Sequence, residues 1–197
     1  MDSARCLSMS IKSHACICNL QLTYCDLGST PEILLVILQS DIKYINLSNN
    51  TIDSLGAAKI VEYLEGDPAI ELLSLGHNRL NDNDAILISQ ALKRNTNLLS
   101  INLHSNNITS IGVKALLTCI FDSSSLNAIA ESNHKLTRII MFHNHNDKLA
   151  DYIDSLLQLD RTQKNMLALQ DKDSLLQYLA NIPGTHARGV GIPSSTG

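Results

Sequence analysis

Two hydrophobic periods alternate along the middle of this chain. In Ile42-Lys-Tyr-Ile45-Asn-Leu47-Ser-Asn-Asn50-Thr-Ile52, apolar residues stand at the first, fourth, sixth and eleventh places and an asparagine at the ninth. Ile70-Glu-Leu-Leu73-Ser-Leu75-Gly-His-Asn78-Arg-Leu80 and Leu98-Leu-Ser-Ile101-Asn-Leu103-His-Ser-Asn106-Asn-Ile108 repeat the pattern, so Asn50, Asn78 and Asn106 fall 28 residues apart. Alternate apolar residues predict a short strand with one buried face. Between these stretches the period changes. A shift of 28 aligns Ala57, Ala85 and Val113, then Ile60, Ile88 and Leu116, then Leu64, Leu92 and Ile120. Steps of three and four residues mark one face of a helix of roughly three turns. Upstream, Leu20-Gln-Leu22-Thr-Tyr-Cys25-Asp-Leu27 fits the same frame at a spacing of 25, with Cys25 in the asparagine place. Thr30-Pro31-Glu32 then opens a helix, with Thr30 as N-cap, proline at the first helical position and an acid in the first turn.

Each unit is therefore strand, turn and helix, and it cannot bury its core alone. Strand and helix cover each other, but the two flat sides stay open until neighbouring units stack on them. The recurring asparagine sits where the chain leaves the strand, and its amide can satisfy buried backbone groups of its own turn and the next. Surface turn residues are the rival reading for Asn50, Asn78 and Asn106; their fixed spacing and apolar flanks favour a ladder, with Cys25 as its first member.

The 28-residue unit, the strand motif and helices such as SLGAAKIVEYL resemble the ribonuclease-inhibitor-like class of leucine-rich repeats, over about residues 17–121. That class includes ribonuclease inhibitor, the sensor regions of NOD-like receptors and the Ran GTPase-activating protein. The resemblance implies an α/β fold: a right-handed leucine-rich-repeat solenoid, a short horseshoe with parallel strands on its concave face and helices on its convex face. It also implies that residues between the inward Ile and Leu face the concavity. These are Tyr44, Asn46, Ser48 and Asn49, then Leu72, Ser74, Gly76 and His77, then Ser100, Asn102, His104 and Ser105. Of them Tyr44, Asn46, Ser48, Ser74, His77, Asn102 and His104 are the candidate partner-binding residues. The face reads as small and neutral, with Tyr44 its one aromatic anchor, which argues against very tight binding there.

Beyond Phe121-Asp122 the pattern fades. Leu126-Asn-Ala-Ile129-Ala-Glu131-Ser-Asn-His134-Lys-Leu136 keeps the 28-residue register but puts Glu131 in a leucine place and His134 in the asparagine place. Leu136-Thr-Arg-Ile139-Ile-Met141-Phe-His-Asn144 starts ten residues later. Both do not fit one regular unit, so a degenerate last repeat with an extra strand or loop is expected. Helical faces follow at Leu149, Ile153 and Leu156/Leu157 and at Leu175, Leu176 and Leu179. The organisation expected is thus an irregular segment 1–16, a solenoid of about four to five units over 17–146, a helical C-terminal cap over 147–182 and a disordered tail over 183–197. FDSSSLNAIAESNH and LALQDKDSLLQYLANIP also resemble the C-terminal part of leucine-rich-repeat proteins from unicellular algae, which implies kinship without a mechanism.

Composition narrows the function. Aromatics are 4% of 197 residues, with no Trp, so the core must be aliphatic. The net charge of -4, without a run of five like charges, argues against nucleic acid. The longest apolar run, Ile33 to Leu38, is too short to cross a bilayer, and MDSARCLSMSIKSHAC lacks the apolar stretch of a signal peptide. Cys6, Cys16, Cys18, Cys25 and Cys119 are odd in number and crowded near one end, which suits reduced thiols and a cytoplasmic protein. Asn46, Asn49 and Asn107 begin glycosylation sequons, but the repeat motif generates these by itself.

Chemistry is sparse. His143-Asn-His145 with His134 and Asp147 invites a metal reading, and Cys6, Cys16, Cys18 and His14 a zinc reading, yet neither shows three or four convincingly placed ligands. The Cys16/Cys18 pair is CxC rather than the redox CxxC. Phosphate loops, nucleophile elbows and dinucleotide fingerprints are missing. Asp82 and Asp84 stand at a helix start, where the dipole favours acids. No cofactor and no catalytic set are expected. The primary expectation is a non-catalytic scaffold that binds a protein partner, not nucleic acid or membrane, as a monomer or with weak self-association through an exposed solenoid edge. The alternatives are a regulator of a small GTPase like the Ran regulator, for which Arg79 beside Asn78 is the candidate, or a fragment of a larger NOD-like-receptor-type sensor.

Overall fold

The computed structural model describes residues 17–38, 41–122, 124, 127–128, 131–142, 144, 153 and 157. Strand and helix alternate: β1 (Asn19–Gln21), a 3-10 turn (Leu27–Ser29), α1 (Pro31–Leu38), β2 (Tyr44–Asn46), α2 (Ser54–Glu65), β3 (Leu72–Ser74), α3 (Asp82–Arg94), β4 (Ser100–Asn102), α4 (Ser110–Ile120) and β5 (Arg138–Ile140). The five strands among the described residues form one parallel sheet in chain order, so each unit pairs with the next in the sequence. The fold is the α/β leucine-rich-repeat arrangement of a parallel sheet backed by helices.

The repeat writes the core. Ile45, Leu73, Ile101 and Ile139 stack in register across the sheet, each no more than 2% exposed. Leu47, Leu75, Leu103 and Met141 form a second buried row and Ile42, Ile70, Leu98 and Leu136 a third. From the helices, Ala57, Ala85 and Val113, then Ile60, Ile88 and Leu116, then Leu64, Leu92 and Ile120 are all fully buried.

Helix starts are closed locally and by the neighbouring unit. Asp53, Asn81 and Thr109 cap α2, α3 and α4, and Asn81 forms a capping box with Asp84. Asp82 reaches across to α4: its Oδ1 accepts from the N–H groups of Thr109 (2.7 Å) and Gly112 (2.9 Å), and its Oδ2 accepts from the Thr109 hydroxyl at 2.6 Å. Asp84 likewise accepts from the Ser54 hydroxyl of the preceding unit. The acids at this helix start thus join units as well as answering the dipole.

The asparagines form a ladder. Asn78 Oδ1 accepts from the N–H groups of Asn50 and Ile52, while its Nδ2 donates to the carbonyls of Leu47, Leu75 and Gly76. Asn50 reaches the N–H of Cys25 in the same way, and Asn106 receives Asn78's role one unit on through the N–H of Leu80. Cys25 is itself exposed, and its thiol donates only to the Thr23 carbonyl at 3.3 Å. The residue before each rung adopts a left-handed conformation: Tyr24, Asn49, His77 and Ser105 have φ of 59, 60, 53 and 51°.

The fifth strand resolves the competing windows. Arg138–Ile140 pairs with Ser100–Asn102, a step of 38 residues, and Asn144 takes the asparagine place by accepting from the Asn106 N–H at 3.1 Å. The 28-residue register would have put the Glu131 carboxylate into the buried leucine row, a large penalty without a partner. Instead Glu131 is exposed, while Leu136, Ile139 and Met141 are buried. A second ladder absorbs the extra length. Asn95 Oδ1 accepts from the N–H of Leu98, and Asn133 repeats this with the N–H of Leu136 while its Nδ2 reaches back to the Leu92 and Asn95 carbonyls. Ile153 and Leu157 are helical and buried. Otherwise the N-terminal segment, the C-terminal cap and the tail expected from the sequence lie outside the described residues.

Candidate protein-binding face

The outer face of the sheet carries the side chains that alternate with the core. Its rows run across the units as Tyr44–Leu72–Ser100–Arg138 and Asn46–Ser74–Asn102–Ile140. Two residues further along each strand the next row is Ser48, Gly76, His104 and Phe142.

Four of the seven candidate residues form one hydrogen-bonded chain. Ser48 Oγ and Ser74 Oγ are 2.9 Å apart, Asn102 Nδ2 donates to Ser74 Oγ at 3.2 Å, and Asn102 Oδ1 lies 2.7 Å from His104 Nδ1. Asn102 Oδ1 also accepts from the His104 N–H at 3.1 Å, which fixes the backbone beneath the ring. His77 joins through its ring, which meets that of His104 edge-on with centroids 4.5 Å apart and planes at 86°. Gly76 makes room for this arrangement: a Cβ there would sit 2.2 Å from His104 Cε1. The imidazole of His104 therefore lies over the glycine backbone of the neighbouring unit.

Tyr44 stands apart from that chain, and Asn46 meets it only at the Ser48 backbone. The Tyr44 hydroxyl donates to Glu71 Oε2 at 3.3 Å, beside a 2.6 Å ion pair between Lys43 Nζ and Glu71 Oε1. Lys43 holds the Glu71 carboxyl below the usual range, with smaller help from Tyr44 and Lys135. Asn46 Oδ1 accepts from the Ser48 N–H and serves its own strand end. Ser48 is only 7% exposed, because Ser74 covers it, so it supports the face rather than offering a contact.

The expectation of a bland face with Tyr44 as its single aromatic anchor is corrected by β5. That strand adds Arg138 and Ile140 to the first two rows, and Phe142, two residues beyond it and 46% exposed, extends the third. Leu72, 40% exposed, adds apolar surface in the row of Tyr44. The sequence signal for the β5 residues was the alternation in Leu136–Asn144, which puts Arg138, Ile140 and Phe142 opposite the buried Leu136, Ile139 and Met141 once that window is chosen.

Elsewhere the candidates do not assemble. Arg79 is an exposed turn residue whose N–H donates to the Ile52 carbonyl. His134 and Cys18 are exposed, while His143, His145, Asp147, Cys6, Cys16 and His14 lie outside the described residues. Among the described residues no three His, Cys, Asp or Glu side chains converge as metal ligands, and no helix is long and apolar enough to cross a membrane. On the helical side a groove of about 440 Å³ is lined by Glu65, Ile86, Ser89, Gln90, Lys93, Arg94, Ala115 and Thr118. It is mostly polar, and Lys93 there is already paired with Asp122 at 3.3 Å.

Comparison with known proteins agrees with this architecture. A family model described as a leucine-rich repeat matches residues 40–61 and 94–117. Leiomodin-1 from Homo sapiens is 30% identical over 77 residues, which are 39% of this chain and 13% of leiomodin-1; the Rattus norvegicus protein is 29% identical over the same length. The matched segment is thus a small part of those relatives. Among solved structures, leiomodin-1 actin-binding site 2 superposes with a TM-score of 0.63 at 18% identity, covering 91% of this chain and 99% of that one. The C-terminal domain of a Caenorhabditis elegans tropomodulin gives 0.58 at 12% identity, over 91% and 99% of the two chains. At such identities the likeness is one of fold.

Proposed function

Since this chain is a leucine-rich-repeat protein, we propose that it is a non-catalytic binding module of the cytoplasm whose strand face holds a protein partner. The observation that carries this reading is the pre-organised face itself. Ser48, Ser74, Asn102 and His104 are locked in one hydrogen-bonded chain next to the exposed ring of Phe142. Side chains held before the partner arrives lose little freedom on binding, and aromatic side chains and arginine are among the anchors on which interface affinity rests.

Actin is the partner we infer first, because the similar fold of leiomodin-1 is named for an actin-binding site. The test is titration of the full chain into fluorescently labelled monomeric actin. Saturable binding with Kd in a roughly micromolar range is expected, weakened about tenfold, or ~1.4 kcal/mol, by Phe142→Ala or Asn102→Ala. Unchanged fluorescence at a hundredfold excess of chain would remove actin as partner, and equal binding by both variants would remove the strand face. We also propose a monomer that pairs weakly, if concentrated, through an open solenoid edge; light scattering that gives a stable dimer at low concentration would overturn this.

A further inference from the structure

The charges on the strand face are not those of the whole molecule. The chain carries a net charge of -4. Among the described residues the outward rows of the sheet carry Arg138 and no acid, and beside them Lys43 and Glu71 neutralise each other at 2.6 Å. Among the described residues Lys135 and Arg138 take part in no ion pair, and both are exposed. Two residues beyond Ile140, the exposed Phe142 follows in the row of His104, whose own ring meets the His77 ring edge-on. Between the cations and the rings lie Ser100 and Asn102, half-buried polar groups spaced as a peptide backbone could use them.

We propose that the fourth and fifth units bind an extended acidic segment of a partner protein, in which a carboxylate meets Arg138 and an apolar or aromatic side chain meets Phe142, in the same row as His104. This deepens the protein-binding reading above and rests on it. Arg138 and Phe142 are four residues apart, about 13 Å at roughly 3.3 Å per residue in extended chain. An extended ligand lying along the strand would therefore carry its acid and its apolar residue about four positions apart. Arginine favours a carboxylate through paired, charge-assisted hydrogen bonds, and the rings supply the desolvated contact that affinity needs. A generally acidic chain repels acidic partners except where its cations are concentrated, so this patch selects by position. Anionic lipid and nucleic acid offer charge too, but neither uses an apolar anchor at a fixed spacing from a single cation.

The probe is a fluorescein-labelled nine-residue peptide with two aspartates and, four residues on, a tryptophan, titrated with the full chain and followed by anisotropy. Binding is expected to weaken at least fivefold when the aspartates become asparagines or the tryptophan serine. Arg138→Glu and Phe142→Ala should each weaken it about tenfold, and Arg138→Lys should recover part of the loss. Lys59→Glu, the same charge change on α2, should leave it within twofold. Circular dichroism melts identify any variant that has lost its fold, and Arg138→Lys keeps the test open if Arg138→Glu has. Equal effects of Arg138→Glu and Lys59→Glu would show a general field and overturn the proposal. So would equal affinity for the aspartate and asparagine peptides, for phosphatidylserine vesicles or for a short DNA duplex. Actin binding that survives Arg138→Glu would overturn the acidic segment while leaving the binding module standing. Peptide binding without actin binding would support the segment and dismiss actin.

Discussion

Replacing Asn78 with alanine should remove five hydrogen bonds from the middle of the ladder, yet the loss does not fall evenly on their partners. The three carbonyls that Asn78 serves keep other donors: Leu47 retains Asn50 Nδ2, Leu75 retains Asn106 Nδ2 and Gly76 retains the Asn49 N–H. The N–H groups of Asn50 and Ile52 have Asn78 Oδ1 as their acceptor, at 3.0 Å each, and both residues are fully buried. Leaving a buried donor unsatisfied costs about 1–3 kcal/mol, so two such groups cost about 2–6 kcal/mol. Asn78 is 8% exposed, so one water can reach the vacated space and moderate the loss, which places the expectation at about 3 kcal/mol. Against a total stability of about 5–15 kcal/mol that is a large fraction. Urea unfolding of the full chain, followed by far-ultraviolet circular dichroism, is the assay. With a slope of about 2 kcal/mol per molar the midpoint should fall by about 1.5 M. Cys25→Ala is the internal control. Its exposed thiol donates only to the Thr23 carbonyl, and the change should stay within about 0.5 kcal/mol. A shallower slope for Asn78→Ala would indicate that the two ends of the solenoid had uncoupled, as nearest-neighbour stacking allows. An Asn78→Ala midpoint within about 0.3 M of the parent, or equal to that of Cys25→Ala, would refute the account of the ladder.

Ser105 has a left-handed backbone, φ 51°, and a side chain that crowds there; Ser105→Gly should stabilise by about 0.5–1 kcal/mol after the entropy of glycine is counted, and an unchanged or lower melting temperature would contradict this. Gly76→Ala puts a Cβ into the His104 ring, so the ring must swing off Asn102; binding at the strand face should fall at least threefold, and an unaltered His104 imidazole signal in nuclear magnetic resonance would show the contact is not as described. The Thr96 hydroxyl and N–H hold the Asp67 carboxyl below its ordinary pKa. A depressed folded-state pKa gives stability that is present above the unfolded value, near 3.9, and is lost as pH falls through the folded value. The parent should therefore lose melting temperature on acidification from pH 6 to 3 more steeply than Asp67→Asn, and parallel curves would exclude Asp67 as a contributor.

Much of this protein was legible because its physics is local and repeated. A 28-residue period in Ile, Leu and Asn defines strand, turn and helix within each unit, and the same period names the residues that stack, since identical units must stack identically. The core rows through Ile45, Leu73 and Ile101 and the rungs Asn50, Asn78 and Asn106 needed no knowledge of neighbours beyond that repetition. The second ladder, Asn95 and Asn133, went unread although the same 38-residue step separates it as separates Asn106 from Asn144.

What tertiary structure alone decided is where repetition fails. Two windows after α4 each satisfied most of the local pattern, and a local pattern carries no information about which window has a partner. Pairing with β4 and the cost of burying Glu131 chose the later one. That choice put Arg138, Ile140 and Phe142 on the strand face and turned a neutral surface into one with cations and an aromatic anchor. Likewise Ser48, Ser74 and the Asn102–His104 pair belong to three successive units in the sequence. They become one hydrogen-bonded chain only because parallel stacking brings side chains 26 and 28 residues apart to within 2.9–3.2 Å across neighbouring units. The sequence determined the unit and its core; lateral registry, which no single unit encodes, decided the surface it presents.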